Sequence, residues 1–130
     1  MTSFIKATVL GVALVWSVSA DAAEGDAAKG KVLFNQCRAC HQVGPNAKAT
    51  VGPEQNNLIG STAGTRPGFN YSAAMKDAGA KGLVWNDETL DKFLENPKDM
   101  VPGTKMAFPG LKNAEDRANV IAYLKTQTGQ

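Results

Sequence analysis

The chain's only two cysteines and its only histidine fall within one five-residue run, Cys37-Arg38-Ala39-Cys40-His41. Two thiols three positions apart on one helical turn can both reach a single flat partner, and the adjacent imidazole then lies beneath its centre. This C-x-x-C-H run reads as a c-type haem attachment site. Each thiol adds to one of the haem's two vinyl groups, and His41 supplies the proximal iron ligand. Competing chemistries fail on the same residues. A thioredoxin-like C-x-x-C wants a βαβ pattern around it, which this chain lacks. A structural zinc site needs further Cys or His ligands, and there are none. Two cysteines are also too few for a disulfide scaffold.

The N-terminus points to export. Lys6 is the only charge before Asp21, and residues 7–18 are almost wholly apolar. That run is shorter than the roughly 20 residues a bilayer span takes. Small residues follow, with one cleavage frame ending at Val18-Ser19-Ala20 and another at Ala20-Asp21-Ala22. The pattern is that of a secretory signal peptide over residues 1–22, leaving a single domain over residues 23–130 in the periplasm. Its removal takes away one basic and one acidic residue, so the net charge of +2 is unchanged. So even a balance gives no basic surface for nucleic acid. In an oxidising compartment two cysteines ordinarily pair, but the C-x-x-C-H spacing assigns both to haem.

A haem held by one histidine leaves its sixth position to be filled. A thioether suits haem iron, and His/Met ligation raises the reduction potential. With Met1 lost in the leader, the methionines available are Met75, Met100 and Met106. Met106 sits in the loop Pro102-Gly103-Thr104-Lys105-Met106, whose breakers can turn a side chain inward. Met75 and Met100 read more simply as core gap-fillers. If no methionine binds, the iron is left open to a gas or peroxide.

The scaffold reads as all-α. A first helix runs from an Asp26 cap to about Cys37, with Val32, Leu33 and Phe34 as its apolar residues. Gly30 is costly inside a helix and implies a close backbone approach. A second helix runs from about Asp87 to Asn96, with Leu90, Phe93 and Leu94 on one face and Pro97 stopping it. A third runs from about Ala114 to Thr126, capped by Asn113, with Asp116 completing a weak capping-box pattern. Between Gln42 and Tyr71 stand eight glycines or prolines, which forbid long helices or a central strand. So long a loop is uncommon in a small domain, unless a covalently held porphyrin serves as the core it wraps.

Beyond the attachment run, the pieces Val51-Gly-Pro53, Ala63-Gly-Thr-Arg-Pro-Gly-Phe-Asn-Tyr71 and Leu83-Val-Trp85 follow in order. Then come Glu88-Thr-Leu-Asp-Lys-Phe-Leu-Glu-Asn-Pro97, Pro102-Gly-Thr-Lys-Met-Ala-Phe108 and Val120-Ile-Ala-Tyr-Leu124. In order and spacing the chain resembles a class I cytochrome c, close to the mitochondrial protein and its soluble alphaproteobacterial counterparts, from about Gly25 to Thr126. The resemblance implies a small fold of three to four helices whose long loops wrap one haem c. It implies thioether links at Cys37 and Cys40 and axial ligation by His41 and Met106. It also implies a hydrogen bond from the imidazole to the Pro53 carbonyl, and propionate contacts from Tyr71, Trp85 and Thr104. Tyr123 is implied to pack on the first helix near Gly30.

Some positions depart from the family pattern. Ser61 replaces an arginine that neutralises a propionate, with Arg66 five residues on as a substitute. Phe93 replaces a tyrosine near the methionine sulfur. Met75 stands where asparagine is frequent, and Gln55 where a leucine packs near the haem.

With both axial positions filled there is no place for a substrate, so the expected function is one-electron carriage and not catalysis. The resemblance implies a quinol-oxidising cytochrome complex or periplasmic dehydrogenase as donor. It implies a terminal oxidase or photosynthetic reaction centre as acceptor. These partners would dock on a monomer through Lys98, Lys105 and Lys112, with Arg38 joining them, and charge of one sign would steer the encounter. The competing readings are a haem enzyme or gas sensor with an open sixth site, and an electron-accepting subunit dedicated to one dehydrogenase.

Overall fold

In the computed structural model, residues 24–130 are described; the expected leader over residues 1–22 lies outside them. Five α-helices follow in order: α1 Ala27–Leu33, α2 Ala73–Ala80, α3 Asp87–Glu95, α4 Pro97–Met100 and α5 Ala114–Lys125. A 3-10 turn, Phe34–Gln36, carries α1 on to the attachment run. The three helices expected from the sequence are present, and α2 and α4 are additional.

Local chemistry sets the helix starts. The Asp26 carboxylate accepts from the Ala28 and Lys29 N–H groups, satisfying donors that the first turn would leave orphaned. Asn86 and Thr89 cap α3 reciprocally as a capping box. At α5 the cap is Asn113 alone, accepting from Glu115 and Asp116 N–H groups. There Asp116 adds favourable charge at the dipole's positive end. Pro97 does end α3 in effect, but by opening α4: Asn96 is extended, and the proline occupies the first helical position, where its fixed φ and missing N–H cost nothing.

The core is organised by the contact of α1 with α5. A Cβ on Gly30 would fall 1.9 Å from the Asn119 carbonyl oxygen and 2.8 Å from the Tyr123 Cβ, so glycine alone permits this approach. The Asp26 N–H donates to Asn119 Oδ1 at 2.7 Å across the same seam. Phe34, 2% exposed, packs on Tyr123 with ring centroids 5.4 Å apart. Val32 is not part of that face; it is 69% exposed. Leu90, Phe93 and Leu94 of α3 are buried together with Val120, Ile121 and Leu124 of α5.

Arg117 ties these helices to the loop that follows α4. Its side chain is 8% exposed. Its Nε donates to Asp91 of α3 at 2.7 Å, and its Nη1 to the Leu111 and Lys112 carbonyls at 2.9 and 3.2 Å. Arg117→Met keeps most of the volume but strands two carbonyls that lose their donor. We expect it to cost about 2 kcal/mol in urea unfolding; a change below about 0.5 kcal/mol, the usual range for surface substitutions, would show that the network is idle.

No helix lies between residues 42 and 71, as the density of breakers requires. The loop is held by backbone pairing instead. Gly60 N–H donates to the Trp85 carbonyl at 2.7 Å, Trp85 N–H to Ser61 at 2.9 Å and Ala63 N–H to Leu83 at 2.9 Å, around an isolated antiparallel bridge between Thr62 and Val84.

Candidate haem site

The attachment run is a tight turn. Cys37 N–H donates to the Phe34 carbonyl at 2.8 Å, and His41 and Cys40 N–H groups donate to the Cys37 carbonyl at 2.9 and 3.1 Å. The segment from Thr50 to Gln55 is stapled against it. Thr50 Oγ1 and Gly52 N–H both donate to the Cys40 carbonyl at 2.9 Å, and Gln55 N–H donates to Gln42 at 2.9 Å. Gly52 lies directly on the imidazole: a Cβ there would come within 2.4 Å of His41 Cε1.

His41 Nδ1 lies 2.7 Å from the Pro53 carbonyl oxygen. A carbonyl can only accept, so Nδ1 carries the proton and Nε2 keeps its lone pair for a metal. Burial pushes the imidazole pKa down and so favours the neutral ligand form, while the hydrogen bond to the Pro53 carbonyl pulls the other way. Burial, reinforced by Cys40 nearby, pushes the Cys37 thiol up to about 11.

Cys37, Cys40, His41 and Met106 all border one cavity of about 640 Å³, within the range of small-molecule and cofactor sites. Leu58, Trp85, Phe93 and Phe108 are among its apolar lining. Met75 borders it too and is 8% exposed, whereas Met100 borders a separate depression beside α3 and α4. Two thiols, a neutral imidazole with its lone pair free and a thioether on one apolar cavity fit a covalently held haem. The glycine that leaves room for the imidazole ring fits it as well.

The Cytochrome c family model matches residues 27–128. The chain belongs to the cytochrome c family. It is 64% identical over 126 residues to cytochrome c2 of Rhodomicrobium vannielii, spanning 97% of this chain and 98% of that one. It is 45% identical over 113 residues to cytochrome c of Ulva intestinalis, covering 86% and 99% of the two chains. The solved structure of cytochrome c2 from Rhodospirillum centenum superposes with a TM-score of 0.77 at 41% identity, covering 80% of this chain and 99% of that one. Cytochromes c bind haem c covalently, and Cys37 and Cys40 stand at the spacing that carries it. The chain is an electron carrier built on haem c, with the mostly helical fold of its structural neighbours.

The remaining expected site residues of this cytochrome c gather on the same cavity. Tyr71, Trp85 and Thr104 all border it. Trp85 is 7% exposed and packs 5.0 Å from the Phe93 ring. Tyr71 packs edge-on against Phe69 at 4.9 Å, and burial pushes its hydroxyl pKa up. Thr104 Oγ1 accepts from the Met106 N–H at 3.3 Å, bracing the methionine loop.

At the departures, Ser61 Oγ is turned to its own loop, donating to the Leu58 carbonyl at 2.5 Å. Arg66 also borders the cavity, but its guanidinium is engaged by Glu54 at 2.5 Å and by the Asn57 carbonyl at 3.3 Å. Glu54 is a cavity residue that the sequence did not single out. Of the basic residues expected to meet partners, Lys105 borders the cavity, with its Nζ donating to the Asn70 carbonyl at 3.2 Å. Lys98, Lys112 and Arg38 are exposed but do not line it. Lys112 reaches the Glu95 and Pro109 carbonyls, and Arg38 the Tyr123 hydroxyl at 3.2 Å.

Proposed function

We propose that this cytochrome c is a periplasmic, monomeric one-electron carrier and not an enzyme, with His41 and Met106 as the axial ligands of its haem. The observation that carries the reading is that the only imidazole and a loop methionine border the same apolar cavity as both attachment thiols. Bound haem supplies one-electron exchange at its iron. The chain's residues do the rest. Cys37 and Cys40 anchor the group, Pro53 orients the His41 ring, and Thr104 holds the loop that presents Met106. Tyr71 and Trp85 offer polar tips to the propionates from apolar bodies, while Phe93 and Leu58 help to exclude water.

His41 and Met106 would hold the iron between them, and a haem held so would have no coordination site left for a substrate. Export follows from the leader over residues 1–22, and no helix among the described residues is long and apolar enough to cross a membrane. The donor is a quinol-oxidising cytochrome complex or a periplasmic dehydrogenase. The acceptor is a terminal oxidase or a photosynthetic reaction centre.

Partners meet the protein at Lys105 on the cavity rim, with the exposed Lys98, Lys112 and Arg38 as further docking residues. Small ions of opposite charge test this. Stopped-flow oxidation of the ferrous protein by anionic ferricyanide should slow as salt rises from 10 to 300 mM. Oxidation by a cationic cobalt complex should hold steady or quicken over the same range. Lys105→Gln, which removes one rim charge, should cut the low-salt ferricyanide rate by about threefold. Identical salt profiles for the two oxidants would contradict docking by charge.

A further inference from the structure

Behind the axial histidine lies a second hydrogen-bonding group. The side-chain amide of Gln55 places one of its two polar atoms 2.9 Å from His41 Nδ1. That is the same nitrogen whose proton goes to the Pro53 carbonyl at 2.7 Å. An imidazole nitrogen that carries a proton has no lone pair to offer, so an amide NH2 facing it would set donor against donor. With Nε2 facing the ring, Gln55 Oε1 is left as the one buried side-chain polar atom without a partner among the described residues. The N and O ends of an amide are isosteric, and the surrounding hydrogen bonds decide between them. Turning the amide puts the carbonyl oxygen at 2.9 Å from Nδ1, where it accepts a share of the proton, and it removes the clash. The backbone N–H of Gln55 is tied to Gln42, next to His41 in the chain, which keeps the residue beside the ring.

We propose that Gln55 is a positioning residue for the proximal ligand: its Oε1 and the Pro53 carbonyl oxygen share the Nδ1 proton of His41 as a forked pair. A second acceptor on Nδ1–H gives the ring more imidazolate character and makes it a stronger donor to iron. It also pins the plane of the ring from a second direction. A stronger donor favours the ferric state, so Gln55 sets the reduction potential of this protein lower than an apolar residue at position 55 would. The inference rests on His41 being the axial ligand.

The test uses the intact ferrous holoprotein, labelled with 15N at histidine, beside Gln55→Leu and the isosteric Gln55→Met. Both variants lack the acceptor, and Met keeps the length and volume of the side chain. In each, the Nδ1–H proton of His41 should move upfield as it loses one acceptor. At a fixed ambient potential, the ferrous-to-ferric ratio should rise about threefold, a fraction of one hydrogen bond's net worth. For one electron that ratio is about 28 mV. Removing a polar group can raise the potential by drying the site alone, so the proton resonance is the deciding readout. If the Nδ1–H resonance is unchanged in both variants while the His41 ring protons keep the strong shifts of a ring over a haem face, the Gln55 proposal falls and the ligand stands. If the wild-type ring protons lack those shifts, the ligand reading falls and takes the proposal with it.

Discussion

Met106→Ala should lower the reduction potential by at least ~100 mV, about a fiftyfold shift in the ferrous-to-ferric ratio at one electron, because the thioether that favours ferrous iron is replaced by water or a stray ligand. The same variant should bind azide or cyanide in the ferric state at least about tenfold more tightly, since no protein ligand has to be displaced first. Two controls make this specific. Met75 borders the same cavity as Met106, so position alone would allow either sulfur to bind. It is packed in the core at 8% exposure, and Met75→Ala should cost about 2–3 kcal/mol of stability while leaving the potential within ~30 mV, half a decade in the one-electron ratio. Met100 lies on a different depression, and Met100→Ala should leave both readouts unmoved. Potentiometry on the three variants separates them. A large drop in Met75→Ala with none in Met106→Ala would reassign the ligand.

The largest expected effect on folding comes from a single methyl group. Gly30→Ala would place a Cβ 1.9 Å from the Asn119 carbonyl oxygen and 2.6 Å from its carbonyl carbon. Both are backbone atoms in the middle of α5, so no side chain can swing aside; α1 and α5 must separate. Separation loosens the packing of Phe34 on Tyr123 and stretches the 2.7 Å bond from Asp26 N–H to Asn119. We expect a loss of about 3 kcal/mol, at the upper end for overpacking. In a domain of this size that is a fall in Tm of roughly 15 °C. Gly82→Ala is the reference: Gly82 has nothing within 4 Å of its Cβ position, and only its positive φ, +100°, penalises a side chain there. If thermal unfolding shows Gly30→Ala to be no worse than Gly82→Ala, the close α1–α5 approach does not constrain the fold.

Much of this protein is legible before folding because its chemistry is concentrated in rare residues. With one histidine and two cysteines, the attachment run has no competitor for the role, and the structure puts all three on one cavity. Gly30 could be read as a close approach, because a glycine inside a helix is otherwise a pure cost. What was harder to read has physical reasons. The helix Ala73–Ala80 is short and has no clean apolar stripe, and its Gly79 is used to press the helix onto Ala63, where a Cβ would meet the carbonyl at 1.8 Å. That is a tertiary need which local propensity cannot express. Pro97 is read as a stop signal, yet a proline that ends one helix is also well suited to begin the next. Gln55 is visible as a polar residue at an apolar position, but its contact with His41 Nδ1 depends on the way the loop from Thr50 to Gln55 folds onto the attachment turn. Glu54 gives no signal in sequence, because only the structure brings it to Arg66.

The measurement that bears most directly on the central claim is the optical spectrum of the ferric protein after periplasmic expression, recorded in the far red. The reading of His41 and Met106 as a closed axial pair predicts the weak iron–sulfur charge-transfer band, present in the wild-type protein and in Met75→Ala and Met100→Ala, and absent in Met106→Ala. A folded protein carrying covalent haem but showing no such band would contradict that reading, and would turn this cytochrome c from a closed electron carrier into a protein with an open iron site.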